Sequence, residues 1–192
     1  MLRTVIAVPH ALTAWNRINR IQGKSGPPLD DRGVIEARGK AAIITELKLG
    51  PQLVIASGLP RSDDTARTIA MVLRIPWQTD ERLQECCFGS LEGCFEAELV
   101  KRYSSETVRS WENYHNGTFR YDFRSMDGED DAAVRSRHLS LWRDLATITE
   151  VPTIILVGHG RGLNTLLHAL GLTPPLLKRG DVRVIPYAPP DA

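Results

Sequence analysis

The sequence predicts a three-layer α/β/α sandwich built on a mostly parallel sheet, and three observations carry that expectation. Short apolar runs rich in β-branched residues, such as Leu2 to Val8 and Thr153 to Val157, read as strands buried on both faces. Longer stretches with capping residues lie between such runs, and strands that alternate with helices form a parallel sheet covered on both sides. The chain has 192 residues, 42% of them hydrophobic and 24% charged. That length suits one α/β domain whose core needs no disulfide or metal. No internal repeat or low-complexity linker divides it, so a single domain over residues 1–192 is expected.

The elements follow in order. Leu2 to Val8 is the first strand. Residues 9–29 hold Gly23, Gly26, Pro27 and Pro28 and form a long ordered loop. Asp30 or Asp31 caps a helix that runs to about Leu49, with Ile35, Ala42, Ile43 and Leu47 expected to face inward, and Gly50-Pro51 stops it. Leu53 to Ala56 is a second strand, Arg61 to Leu73 a helix, and Ile75 to Thr79 a short third strand. From Asp80 to Gly128 the pattern is irregular, with helical pieces near Ala97–Tyr103 and Thr107–Tyr114. Trp111 and several tyrosines give this segment its own apolar inventory, and residues 94–128 or so read as an inserted cap over the sheet edge. Asp130 to Thr149 is a long helix, Thr153 to Val157 a strand, Gly162 to Leu170 a helix and Asp181 to Tyr187 the last strand.

Composition excludes several functions. A formal net charge of +1 does not suit a nucleic-acid partner, whose capture needs a cationic surface. No apolar run approaches the ~18 residues of a membrane span. The first such run ends at Pro9-His10, which is no signal peptide. Three clustered cysteines, Cys86, Cys87 and Cys94, fit a reduced, cytoplasmic protein and lack zinc-site spacing. Gly23-Lys24-Ser25 would need a glycine at Ile18 to be a phosphate-binding P-loop, and Gly158-x-Gly160 would need one at Leu163 to be a dinucleotide fingerprint.

In open α/β sheets, ligands bind beyond the carboxyl ends of the strands. The first strand runs into Pro9-His10-Ala11, the second into Ser57-Gly58-Leu59-Pro60-Arg61, and the late one into Gly158-His159-Gly160-Arg161. Two histidines and an arginine therefore reach one side of the sheet. Those types suit phosphoryl transfer through histidine. A neutral imidazole is a competent nucleophile near pH 7, a guanidinium grips phosphoryl oxygens, and a second imidazole stabilises equatorial charge. A carboxylic acid must protonate the leaving oxygen, and Glu85, after the third strand and before Gly89 and Gly93, is placed for it. His115, His138 and His168 read as surface or structural residues, and Lys101, Arg102 and Arg109 as solvated helix faces.

Over nearly its whole length the chain resembles the histidine phosphatase superfamily, also called the phosphoglycerate mutase-like family. The family's opening Arg-His-Gly-Glu-Thr-x-x-Asn corresponds to Pro9-His10-Ala11-Leu12-Thr13-Ala14-Trp15-Asn16. Gln22-Gly23 and Pro28-Leu29-Asp30-Asp31-Arg32-Gly33 follow, the latter similar to Pro-Leu-Thr-x-x-Gly. Ser57 to Ala66 resembles Ser-x-Leu-x-Arg-Ala-x-x-Thr-Ala, and Leu83 to Gly93 resembles Leu-x-Glu-x-x-x-Gly-x-x-Glu-Gly. Gly128-Glu129 and Val157-Gly158-His159-Gly160 complete six pieces in register. The resemblance implies a phosphatase acting on small phosphate monoesters without metal or cofactor. His10 would be the nucleophile and Glu85 the proton donor. Arg61, His159 and Asn16 would bind the phosphoryl group near the Gly160 backbone, and Gln22 and Gly23 would line the entrance.

Three departures fall in the first motif. Pro9 stands where the family has an arginine that joins Arg61 on the phosphate, Ala11 replaces a glycine beside the ligand, and Leu12 replaces a polar residue at the pocket rim. Losing one charge-assisted donor in such a site typically costs about 10²–10³ in rate. Arg17 and Arg161 stand beside matched residues and are candidates to compensate. Two other readings therefore stand beside the phosphatase: a catalytically impaired module that binds phosphate esters, and a phosphoglycerate mutase.

Overall fold

In the computed structural model, which describes residues 1–172 and 175–188, five strands form one sheet in the order β3-β2-β4-β1-β5. The strands are β1 (Thr4–Pro9), β2 (Leu53–Ala56), β3 (Trp77–Thr79), β4 (Thr153–Gly158) and β5 (Arg183–Pro186). The first four are parallel, and β5 runs antiparallel beside β1. Seven α-helices accompany them among the described residues: α1 (Ala14–Arg17), α2 (Asp31–Glu46), α3 (Pro60–Leu73), α4 (Leu99–Arg102), α5 (Ser105–Asn116), α6 (Asp131–Ile148) and α7 (Gly160–Ala169). The three-layer α/β architecture expected from the sequence is the one observed.

Alternation along the central strands builds the two outer interfaces. Val5 and Ala7 of β1, with Ile154 and Leu156 of β4, meet Leu141, Trp142 and Leu145 of α6 and the apolar face of α7. Ile6, Val8, Ile155 and Val157 point the other way, against Ala41 and Ile44 of α2 and Ala66, Ile69 and Ala70 of α3. A third cluster, with Phe88, Trp111, Tyr114, Tyr121 and Phe123 at its centre, sits apart from both.

The expected inward face of α2 is wrong. Ile35 is 68% exposed, and Ala42, Ile43 and Leu47 are exposed as well. The buried positions are Gly33, Ala37, Lys40, Ala41 and Ile44. Steric fit sets this phase: a Cβ at residue 33 would lie 2.0 Å from the Leu12 carbonyl oxygen, so only glycine lets α2 approach there. Small residues at 37 and 41 continue that close approach against α3 and the sheet, and the larger apolar residues face solvent.

Other boundaries shift modestly. β1 extends through Pro9, tolerated because the β1–β5 pairing ends at Ala7 and no ladder bond needs the missing N–H. The long loop after β1 contains the short helix α1, whose Thr13–Asn16 capping box the sequence reading passed over. α3 begins at Pro60, in the first helical turn where proline is favoured, and α7 begins at Gly160, directly after the second histidine. Residues 94–128 lie at the carboxyl ends of the strands, where α5 walls a cavity, and edge strand β3 stays exposed at all its residues.

Candidate active site

The order β2-β4-β1 puts three strand ends side by side, and the residues that follow them converge. The His10 N–H donates to the Gly158 carbonyl at 2.8 Å, which continues the β1–β4 ladder into the site. His10 Nδ1 lies 2.7 Å from the Ala11 carbonyl. A carbonyl can only accept, so Nδ1 carries the proton and Nε2 keeps its lone pair. The His159 ring is 5.2 Å from that of His10, centroid to centroid. His159 Nε2 lies 2.9 Å from Ser57 Oγ, at the end of β2. Ser57 Oγ also accepts the Leu59 N–H at 3.3 Å. Its own hydrogen is therefore free to go to Nε2, which leaves a proton on His159 Nδ1, a buried atom with no protein partner.

Arg61, in the first turn of α3, is 1% exposed. Its Nη1 donates to the Ser25 carbonyl at 2.8 Å and its Nη2 to the Gly23 carbonyl at 2.5 Å, while Nε is buried without a partner. The 23–25 turn that receives it is held from the other side by Glu92, which accepts the Lys24 and Ser25 N–H groups at 2.9 Å each, the Phe88 N–H at 3.0 Å and the Ser25 hydroxyl. Asn16 Oδ1 accepts from the Thr13 N–H at 3.1 Å and the Thr13 hydroxyl at 3.0 Å, so its amide NH₂ is the end left for the cavity. Gln22 Oε1 likewise faces the Thr13 hydroxyl at 3.1 Å.

Glu85 is 8% exposed, and its Oε1 accepts the Cys86 N–H at 2.9 Å, leaving Oε2 for the cavity. A bracket from α6 fixes this stretch. Arg137 donates to the Glu85 carbonyl at 3.0 Å and pairs with Glu129 at 3.0 Å, and Glu129 accepts the Cys87 N–H at 2.9 Å.

His10, Asn16, Gln22, Gly23, Arg61, Glu85 and Gly160 all line one cavity of about 470 Å³. Phe88, Trp111, Tyr114 and His115 add an aromatic wall. Its charged lining comprises Arg20, Arg61, Arg161, Lys178 and Arg179 against Glu85 and Glu96. Among the described residues, no three of His, Cys, Asp and Glu converge as metal ligands, and no helix is long and apolar enough to cross a membrane.

Burial and cations keep the histidines neutral. Desolvation, then the Arg61 charge, hold both the His10 and His159 imidazoles well below the ordinary histidine value. Burial also lowers Arg61 to about 10, against the opposing pull of Glu85. His138 is lowered to about 3 by burial and the adjacent Arg137. It lies directly under α7, where a Cβ at residue 162 would come within 2.7 Å of its Nε2.

Other candidates fare differently. Arg161 lines the cavity, but it donates to the His115 carbonyl and lies 5.7 Å over the Tyr114 ring. Arg17 points away and pairs with Asp30 at 3.4 Å outside the cavity. Leu12 is not on the rim; its carbonyl meets Gly33 and accepts the Asp30 N–H. Ala11 is fully buried behind His10, its N–H donating to Thr65 Oγ1 at 3.0 Å. Lys101, Arg102 and Arg109 are exposed. His138 is structural, whereas His115 belongs to the cavity wall. The sequence reading gave no role to Ser57, Glu92, Glu129, Lys40 or Arg179. Ser57, Glu92 and Glu129 fall within the motifs that carry the family resemblance, whereas Lys40 and Arg179 fall in none of them.

The family model described as "Histidine phosphatase superfamily (branch 1)" matches residues 5–184. The chain is 27% identical over 184 residues to 2,3-bisphosphoglycerate-dependent phosphoglycerate mutase 2 of Gloeobacter violaceus, covering 93% of this chain and 80% of that protein. It is 29% identical over 182 residues to a 2,3-bisphosphoglycerate-dependent phosphoglycerate mutase of Methylobacterium radiotolerans, covering 90% and 82%. Among solved structures, a mycobacterial glucosyl-3-phosphoglycerate phosphatase complexed with VO3 superposes with a TM-score of 0.77 at 23% identity, covering 90% of this chain and 83% of that one. Bacillus stearothermophilus YhfR gives 0.77 at 24% identity, covering 94% and 89%. At such identities the structural likeness speaks for the fold.

Proposed function

The chain belongs to the histidine phosphatase superfamily, and from that premise we propose that it hydrolyses small phosphate monoesters through a phosphohistidine formed on His10. The observation that carries the proposal is that His10, Arg61 and Glu85 line one cavity, with the buried His159 ring packed 5.2 Å from that of His10. His10 Nε2 attacks phosphorus while the ester P–O bond breaks. Glu85, in its protonated form, gives its proton to the departing alcohol oxygen. Arg61 Nε, His159 Nδ1, the Asn16 amide and the Gly160 N–H at the start of α7 meet the equatorial oxygens. Water then attacks the phosphohistidine, Glu85 takes its proton, the P–N bond breaks, and inorganic phosphate leaves with His10 neutral again.

Hydrolysis of p-nitrophenyl phosphate without added metal, by the native chain beside His10→Ala, tests this. Turnover that vanishes in the variant supports a phosphohistidine enzyme. Equal background rates in both refute it, and phosphate binding without turnover would make the chain an impaired binding module. Interconversion of the two monophosphoglycerates on adding 2,3-bisphosphoglycerate would instead assign it to mutase chemistry.

A further inference from the structure

Position 9 is a proline, where the family resemblance implies an arginine, and the cavity holds more cations than carboxylates. Most of those cations are committed elsewhere. Arg20 donates to the Gly93 carbonyl and lies 4.5 Å over the Trp15 ring. Arg161 is tied to α5 through the His115 carbonyl and the Tyr114 ring. Arg61 is already assigned.

Of the remaining two, Lys178 and Arg179, only Arg179 carries a guanidinium. It sits in the turn between α7 and β5, which is closed by the Asp181 N–H on the Lys178 carbonyl at 3.0 Å and the Lys178 N–H on Asp181 Oδ2 at 2.8 Å. Asn164 of α7 anchors the preceding residue, with its Oδ1 2.7 Å from the Leu177 N and its Nδ2 2.9 Å from the Leu177 carbonyl. On the other side Lys40, 2% exposed, donates at once to the Pro9 carbonyl at 3.1 Å and to the Arg179 carbonyl. One ammonium thus joins the residue before the nucleophile to the residue bearing the guanidinium. The only ion pair of Arg179 among the described residues is Nε to Glu36 at 3.6 Å, longer than a hydrogen bond, and its terminal nitrogens donate to no described residue. Its charge joins those of Arg61 and Lys40 in disfavouring protonation of His10, as expected of a cation near that ring.

We propose that Arg179 supplies the second guanidinium of the phosphoryl site, reaching it from the turn after α7 in place of an arginine at position 9, with Lys40 as its positioning residue. The inference rests on the phosphoryl-site reading above. A phosphoryl dianion outcompetes the half-buried, shared carboxylate of Glu36 for the planar fork of Arg179.

Calorimetric titration with inorganic phosphate, alongside p-nitrophenyl phosphate turnover, tests it on the native chain, Arg179→Ala, Arg179→Lys, Pro9→Arg/Arg179→Ala and Arg17→Ala. Arg179→Ala should weaken phosphate binding about 10- to 100-fold, the worth of one charged hydrogen-bonding group. Arg179→Lys should recover part of that, the double variant should recover at least about tenfold, and Arg17→Ala should match the native chain. With Pro9→Arg alone as the reference, a gain in affinity that is larger in the Arg179→Ala background than in the native chain is a result that a purely structural role for Arg179 does not produce. Native-like phosphate affinity in Arg179→Ala overturns the assignment and leaves the phosphatase reading standing. A native chain that neither binds phosphate nor turns over ester overturns both.

Discussion

Glu92→Gln tests whether a carboxylate outside the cavity lining sets the position of Arg61, the guanidinium assigned to the phosphoryl group in the proposed function. Glu92 Oε1 serves the Lys24 and Phe88 N–H groups, and Oε2 serves the Ser25 N–H and hydroxyl. An amide keeps one of these oxygens and turns the other into a donor that faces donors, so in either orientation half the set fails. A hydrogen bond to a charged group contributes about 1.5–3 kcal/mol. The Ser25 hydroxyl can reverse and water reaches this exposed turn, so the net loss should equal about one such bond. For a chain of this size that lowers Tm by roughly 3–12 °C. The catalytic loss follows from the next link: the Gly23 and Ser25 carbonyls are the anchors of Arg61, and a turn that drifts takes the guanidinium with it. Misplacement by about 1 Å costs up to about 10²-fold. Thermal melts and kcat/KM for p-nitrophenyl phosphate measure both effects, with Glu98→Gln, in an exposed pair with Arg102, as the matched control. A Glu92→Gln protein with native rate and a melt within about 1 °C of native would refute the reasoning.

Four further outcomes follow from particular surroundings. The depressed histidines make the fold acid-labile: the unfolded chain takes up protons below about pH 6.5 while buried His10, His138 and His159 do not. Their contribution is therefore full above that pH and is lost as pH falls, by up to about 2 kcal/mol per histidine between pH 6.5 and 5. Urea midpoints that agree at pH 7 and pH 5 would contradict this. Ser57→Ala removes the hydroxyl facing His159 Nε2, leaves that ring without a fixed tautomer and should lower kcat/KM about 10- to 100-fold; an unchanged rate would show that Ser57 does not orient it. Gly39 lies on the exposed face of α2 with open space around its Cβ position, so Gly39→Ala should raise stability by about 1 kcal/mol. Gly89→Ala, whose Cβ would fall 1.6 Å from the Met126 carbonyl oxygen at a φ of +55°, should be strongly destabilising, and melts of the pair check both signs.

What the sequence disclosed and what it withheld have separate physical origins. The fold was legible because buried parallel strands need unbroken apolar runs and the helices between them need caps, and both are local properties. The convergence of His10, Arg61 and His159 was legible because strand ends share one side of a parallel sheet. The phase of α2 was not legible: Ile35 and Ile43 look more hydrophobic than Gly33 and Ala37, but the helix is fixed by how closely its backbone must approach the Leu12 carbonyl. Arg17 and Arg161 were equal candidates from their neighbours in sequence. Only tertiary structure separates them, because Asp30 draws one outward while α5 rises beside the other. Lys40 stands 31 residues from Pro9 and 139 from Arg179, whose carbonyls it joins, and no local pattern records such contacts.

The electrostatics of the cavity add a constraint on what can be bound productively. In the cavity five cationic side chains face two carboxylates, and burial and Arg61 hold both imidazoles neutral. Neutrality suits His10, since a protonated ring has no lone pair with which to attack. It does not suit His159, which would stabilise charge better as a cation. An arriving phosphoryl dianion separates the two. In the proposed function its negative charge opposes the burial and the Arg61 field that depress both rings, and His159, whose Nδ1–H has no protein partner, is the ring placed to hold a second proton on Nε2 with the Ser57 oxygen as acceptor. His10 has its Nδ1–H fixed by the Ala11 carbonyl and its Nε2 lone pair free, the form that the proposed attack requires. A neutral ester brings no such field and leaves His159 uncharged, so under the proposed function the residues assigned to the dianion also restrict the chemistry to it.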